Sequence, residues 1–257
     1  NHPFIVISQN QEVEVLGTVF GITNYLDENS NTNPQTGYSL NKLQIEQDLN
    51  SIASENFFPI CLRFATIFGV YSRMRFDVVI NMLTGMALTE KKIKLNSDGQ
   101  AWRPNLYIED ACKAIEHAIN YEKRIDDNKI LILNVGRDDN NIKIIDIAQI
   151  IKKLLPGTSV QFISKTNQDS SNQLFLDRKI KEGKDSRTYK VLFNNFEKKF
   201  GKICFYNIEQ GVEKMIEDLT KINFEKNIFR NKKFYRLQYL ENLYDKKLIN
   251  ENLKWIN

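Results

Sequence analysis

The sequence predicts an α/β fold with parallel strand pairing, and three observations carry that reading. Short apolar runs rich in β-branched residues, such as Phe4-Ile5-Val6-Ile7-Ser8, recur along the 257 residues with the density expected of buried strands. They alternate with amphipathic helical patterns, the order that builds βαβ units. The run from Pro59 to Gly69 is largely apolar and ends in glycine, as strands covered on both faces do.

Taken in order, the first strand is Phe4 to Ser8, and Gln9 to Thr18 fits neither class. The turn-forming lead-in Asn33-Pro34-Gln35-Thr36-Gly37 opens a helix from about Tyr38 to Ser54, with Leu43, Ile45 and Leu49 as its apolar positions. A strand follows near Ile60 to Thr66, then a helix over Met74 to Leu88 carrying Phe76, Val79, Met82 and Met86. Ile93 to Leu95 and Asn105 to Ile108 read as short strands. Asp110 to Tyr121 reads as a helix with Ala111, Ala114, Ile115 and Ala118 inward and Asp110 as its cap. Lys129 to Val135 is an apolar strand closed by Gly136, and Ile144 to Leu155 a helix stopped by Pro156-Gly157. Val160 to Ile163 is a strand, 164–186 a long polar surface loop, and Thr188 to Phe193 a further strand. Ile208 to Leu219 and Tyr235 to Leu248 complete the chain as helices, and no internal repeat is visible.

Composition narrows the function classes. Lys and Arg number 36 against 32 Asp and Glu, a net charge of +4 that demands no polyanionic partner. Cys61, Cys112 and Cys204 are scattered without metal-ligand spacing, which argues against a disulfide framework or zinc site and for a reducing cytoplasm. His2 and His117 are the only histidines, leaving little for His-based catalysis. No apolar run approaches the roughly 20 residues that span a bilayer, and the first residues have no signal-peptide pattern, so the expectation is a soluble cytoplasmic protein without a membrane partner.

The chemistry concentrates at Tyr38-Ser39-Leu40-Asn41-Lys42. A tyrosine and a lysine four residues apart on a helix share one face. A phenol ordinarily titrates near a pKa of about 10, too high for ready proton exchange near neutrality, and a neighbouring ammonium favours its ionised form. The plain alternative is a surface pair on an amphipathic helix. Glu46 and Asp48 follow on the same helix.

With Val19-Phe20-Gly21 before this pair, Cys61-Leu62-Arg63-Phe64-Ala65-Thr66-Ile67-Phe68-Gly69 after it, and Asp98-Gly99-Gln100-Ala101-Trp102-Arg103 and Tyr107-Ile108-Glu109-Asp110 further on, residues 18 to 257 resemble the extended short-chain dehydrogenase/reductase superfamily. The likeness is to its NAD-dependent nucleotide-sugar epimerases and dehydratases. It implies a partial Rossmann-like parallel sheet, with 1–68 as the C-terminal half of an NAD(P)-binding domain. Residues 69–257 would form a smaller substrate-binding lobe, the strand near 129–135 returning to the main sheet. The glycine-rich turn that receives a dinucleotide pyrophosphate in that family has no counterpart among the eleven glycines, so the chain reads as a member without its first half. NAD is favoured over NADP as the cofactor, and a homodimer is the implied assembly.

The resemblance also assigns roles. Tyr38 is the general acid/base, and Lys42 holds the nicotinamide ribose and tunes the phenol. A Ser or Thr four residues before the aromatic of the Val19-Phe20-Gly21 motif should assist, but that position is Leu16, which leaves Thr18 or Ser8. Arg103 and Arg187 match arginines that grip the substrate diphosphate, as guanidinium geometry suits. Thr66 and Asn81 fall where the nucleotide-sugar is contacted. Asn134-Val135-Gly136 matches a strand and turn in which glycine allows close approach. The cluster Phe229-Arg230-Lys232-Lys233-Phe234-Tyr235-Arg236 has the composition of a nucleic-acid surface, yet the closing Asn252-Leu253-Lys254-Trp255 recurs in one subgroup of these enzymes, so no nucleic-acid partner is expected. Two functions stand side by side: an NAD(P)-dependent epimerase, dehydratase or reductase of a nucleotide-activated sugar, and a truncated or degenerate non-catalytic homologue that retains only nucleotide-sugar binding.

Overall fold

The structure, a computed structural model, describes residues 5–8, 11–14, 25–30, 37–122, 129–163 and 188–256. Strands β1 (Ile5–Ser8) and β2 (Gln11–Glu14) pair antiparallel, so the stretch that fits neither class in sequence supplies a strand. After β3 (Tyr25–Leu26) comes helix α1 (Gly37–Ile52). The expected strand near 60–66 divides into β4 (Ile60–Phe64) and β5 (Thr66–Phe68). The break is Ala65, whose N–H donates to the Val135 carbonyl at 3.0 Å. Helix α2 (Val79–Glu90) starts later than its apolar pattern suggests. The Phe76 N–H donates to the Phe234 carbonyl and the Asn81 amide donates to the Arg75 carbonyl, so this backbone is already committed outside a helix.

Beyond α2 run β6 (Lys92–Leu95), β7 (Trp102–Tyr107), α3 (Ile108–Ile119), β8 (Leu131–Val135), β9 (Asn141–Lys143), α4 (Ile144–Leu154) and β10 (Ser159–Phe162). The cap of α3 is Tyr107, not Asp110, which sits within the first turn. The expected strand over Thr188 to Phe193 shrinks to β11 (Lys190–Val191) and runs into the unforeseen α5 (Asn194–Phe200). Helices α6 (Ile208–Lys221), α7 (Lys226–Phe229) and α8 (Arg236–Asp245) close the chain. The long polar loop expected over 164–186 lies outside the described residues. No helix among the described residues is long and apolar enough to cross a membrane.

The chain forms two compact units, each assembled from three stretches. The first comprises Asn1–Ile67, Trp102–Ile142 and Ser186–Asn207. Its parallel pair β4–β8 sets Ile60 opposite Leu131 and Phe64 opposite Val135, while β5, β7 and β9 are neighbours in a three-stranded sheet. Leu106, Ala111, Ala114, Leu133, Val135, Phe193 and Phe196 form the core behind these strands. The second unit, Phe68–Ala101, Lys143–Asp185 and Ile208–Asn257, is built on the parallel pair β6–β10. Phe76 there meets Phe229 edge-on at 5.1 Å and Phe234 at 5.6 Å, and the Tyr235 hydroxyl donates to the Phe229 carbonyl. Most aromatics of the Phe229 to Arg236 cluster therefore serve a core, and Arg230 pairs with Glu90.

Gly136 owes its identity to packing, because a Cβ there would stand 2.6 Å from the Phe193 ring. The close approach is to a side chain of the first unit's core, not to backbone. Gly136→Ala is therefore expected to lower stability by about 1–3 kcal/mol through overpacking, read from urea denaturation. Gly37→Ala, at the start of α1 with nothing within 4 Å, is the control and should leave stability unchanged or slightly raised.

Candidate active site

Helix α1 presents Tyr38, Lys42 and Glu46 at four-residue intervals along one stripe. Tyr38 is 73% exposed, and the Lys42 ammonium lies over its ring, 5.6 Å from the centroid. That is a cation–aromatic contact at the ring face. None of the residues of α1 is buried. Ser39, Leu43, Glu46 and Leu49 are its half-covered positions, and Ile45, expected inward, is 48% exposed.

A helix that buries so little needs another anchor, and Arg63 of β4 supplies one. Its Nε and Nη2 donate to the two carboxylate oxygens of Glu46 at 2.8 and 2.6 Å, a bidentate pair shielded from much of the solvent. Arg63 Nη1 donates to the Glu28 carbonyl at 3.3 Å. The Glu28 carboxylate in turn accepts from the Asn134 N–H at 2.8 Å and the Asn195 amide at 2.7 Å. One guanidinium thus ties α1, the turn after β3 and β4 together. The sequence signal is an arginine inside an otherwise apolar strand together with a glutamate one turn beyond the lysine.

The other expected site residues fall as follows. Thr66 is the first residue of β5 and is half-buried. Arg103, on β7, belongs to the first unit together with Tyr38, Lys42 and Thr66. Its Nη1 donates to the Trp102 carbonyl at 2.7 Å, and its guanidinium carbon lies 5.5 Å from the Tyr189 ring centroid. Asn81 belongs to the second unit and is fully buried, its oxygen accepting from the Gly69 N–H and its nitrogen donating to the Arg75 carbonyl. Both ends of that amide brace the local turn. Thr18 and Arg187 lie outside the described residues, and the side chain of Ser8 is not described either.

A second polar cluster in the first unit surrounds Asp110. Its carboxylate is fully buried; Oδ2 accepts from the Tyr206 N–H at 2.9 Å, and Oδ1 has no hydrogen-bond partner among the described residues, the Lys113 ammonium standing 3.8 Å away. Burial pushes the Asp110 pKa up, against the backbone N–H groups of Tyr206 and Phe205 and the charges of Lys113 and Arg137. Arg137 is forked onto Asp139 and also donates to the Phe205 carbonyl, and this holds the Asp139 carboxyl below its usual range. Beside them a cavity of about 240 Å³ is lined by Arg137, Phe193, Phe196 and Cys204. Burial and the Asp110 charge push the Cys204 thiol up to about 12, which keeps it protonated and unreactive near neutrality.

Residues 11–136 match the family model described as the NAD dependent epimerase/dehydratase family. That segment, just under half of the chain, is similar to this family. Similar solved structures include a dTDP-glucose 4,6-dehydratase from Bacillus anthracis in complex with NAD, at 18% identity and a TM-score of 0.60, covering 85% of this chain and 60% of that one. A UDP-glucose 4-epimerase from Thermotoga maritima with UDP-glucose matches at 16% identity and a TM-score of 0.60, covering 79% and 60%. A UDP-glucuronic acid 4-epimerase from Bacillus cereus in complex with NAD matches at 17% and 0.59, covering 79% and 58%. This chain shares their Rossmann-like α/β fold and spans about 60% of the length of these structures.

Asp110 generates a pH signature. Between the ordinary carboxylate range and its own raised value, the folded chain keeps a proton that the unfolded chain has released, so stability falls as pH rises through that window. Asp110→Asn keeps an acceptor for the Tyr206 N–H and removes the titration. The wild-type stability minus that of Asp110→Asn should decline as pH rises above the ordinary carboxylate value of about 4, measured by urea denaturation. The Arg137–Asp139 contribution has the opposite slope and is common to both proteins; a flat or rising difference would contradict the assignment.

Proposed function

We propose that this protein acts on a nucleotide-activated sugar as an NAD-dependent epimerase, dehydratase or reductase. The observation that carries the reading is the exposed Tyr38 phenol with the Lys42 ammonium against its ring, on a helix clamped through Glu46. A bound dinucleotide would supply hydride exchange at a sugar carbon. Lys42 fits the ribose end of such a cofactor as a mobile donor. Tyr38 takes the proton of the sugar hydroxyl as that carbon is oxidised and returns it on reduction, with a hydroxyl from Thr18 or Ser8 orienting the same group. The chain's eleven glycines hold no glycine-rich pyrophosphate turn, so the residues present fit the nicotinamide ribose and not the diphosphate of the cofactor. Arg103 and Arg187 take the substrate diphosphate, and Thr66 lies at the sugar end.

A second reading is favoured by one observation: Tyr38 is 73% exposed, so this chain by itself does not enclose it in a cleft. Under it, the polypeptide binds nucleotide-sugar without turnover. The two separate in one assay. The chain is incubated with NAD and either UDP-glucose or dTDP-glucose, and product sugar is followed by chromatography alongside calorimetric binding. The first reading expects turnover that Tyr38→Phe reduces by at least about 10²-fold with nucleotide-sugar affinity kept. Binding without turnover supports the second, and neither binding nor turnover overturns both.

A further inference from the structure

The backbone that follows the long polar segment is stitched to β7 in a way that bears on Arg103. The Trp102 N–H donates to the Thr188 Oγ1 at 3.0 Å, and the Tyr189 N–H reaches the Trp102 carbonyl at 3.5 Å. That same carbonyl accepts from Arg103 Nη1 at 2.7 Å. Two cation–aromatic stacks cross the junction in opposite senses: the Lys190 ammonium lies 3.8 Å from the Trp102 ring centroid, and the Arg103 guanidinium lies over the Tyr189 ring. All five residues belong to the first unit.

A long cation ordinarily samples many rotamers, and fixing it costs conformational entropy when a ligand arrives. A guanidinium already laid on an aromatic face, with one nitrogen tied to a carbonyl, has lost much of that freedom beforehand. Contact with a ring fixes the direction of a planar cation, and the N–H groups in its plane are what meet phosphate oxygens. We propose that Tyr189 is a positioning residue: its ring is the platform that orients Arg103 for a nucleoside diphosphate, and the Thr188–Trp102 bond holds that platform in place. This inference rests on the diphosphate role given to Arg103 above.

Two measurements on the full chain test it, one of which needs no ligand. Guanidinium proton NMR of ¹⁵N-arginine-labelled protein, with the signal assigned through Arg103→Gln, should show Arg103 Nε–H displaced by the Tyr189 ring current. Tyr189→Leu should shift that signal and Tyr189→Phe should preserve it. Calorimetric titration with UDP or dTDP should show Tyr189→Leu binding roughly three- to ten-fold more weakly and Tyr189→Phe binding like the wild type. The double variant Arg103→Gln/Tyr189→Leu should bind no more weakly than Arg103→Gln alone. An unmoved Arg103 signal in Tyr189→Leu overturns the proposal whatever binds, as do additive losses in the double variant. If Arg103→Gln leaves affinity unchanged, or the wild type takes up neither nucleotide, the diphosphate role of Arg103 is what fails, and the NMR arm still decides whether Tyr189 orients the guanidinium. Should Tyr189→Leu unfold the chain, Thr188→Val replaces it, with the same displacement and the same weakening expected.

Discussion

The bidentate contact between Arg63 and Glu46 is the constraint on which the candidate active site depends. Helix α1 buries none of its own residues, so the hydrophobic effect that places most helices against a sheet does little for it. What fixes its register is a charge pair with two short hydrogen bonds, partly withdrawn from water, where such contacts are worth more than on an open surface. Because Tyr38, Lys42 and Glu46 lie on one stripe, whatever fixes Glu46 also fixes the direction in which the phenol and the ammonium point. The clamp reaches further than one helix, since Arg63 also holds the Glu28 carbonyl, and Glu28 holds Asn134 and Asn195.

Short polar side chains also fasten the β11 segment within the first unit, and Asn134 takes part in both sets of contacts. Asn141 accepts from the Val191 N–H and donates to the Val191 carbonyl, Asn134 donates to the Leu192 carbonyl, and Asp138 accepts from the Phe193 N–H. Strand β11 is only two residues long and pairs in parallel with the equally short β3, so these amides and one carboxylate add to a brief ladder. The Tyr189 platform for Arg103 hangs from this stitched segment. Hydrogen bonds of this kind are directional, so they fix position more sharply than apolar contact of equal strength.

How much of this was legible in the sequence depends on the length scale of the cause. Strands such as Ile60 to Phe64 and Leu131 to Val135, and helices such as Ile144 to Leu154, are set by local apolar periodicity and emerge nearly where the pattern puts them. The late start of α2 depends on the Phe76 N–H finding Phe234, far along the chain, and no window of neighbouring residues encodes that. Asp110 has the composition of a cap, but its carboxylate is spent on Tyr206. The Tyr38/Lys42 pair is readable because its spacing is its chemistry. The Glu46–Arg63 clamp and the Tyr189 platform join residues on different elements, so they become visible only once the chain is folded.

The most direct test of the account is hydrogen exchange of the α1 amides, compared between the wild type and Arg63→Gln. The account predicts that amides from Leu40 to Leu49 exchange about tenfold faster in the variant, corresponding to roughly 1.4 kcal/mol of lost anchoring, while amides of α4 in the second unit are unchanged. Unaltered protection across α1 would mean that the helix is held by something other than this pair, and the placement of Tyr38 and Lys42 would need a different physical cause.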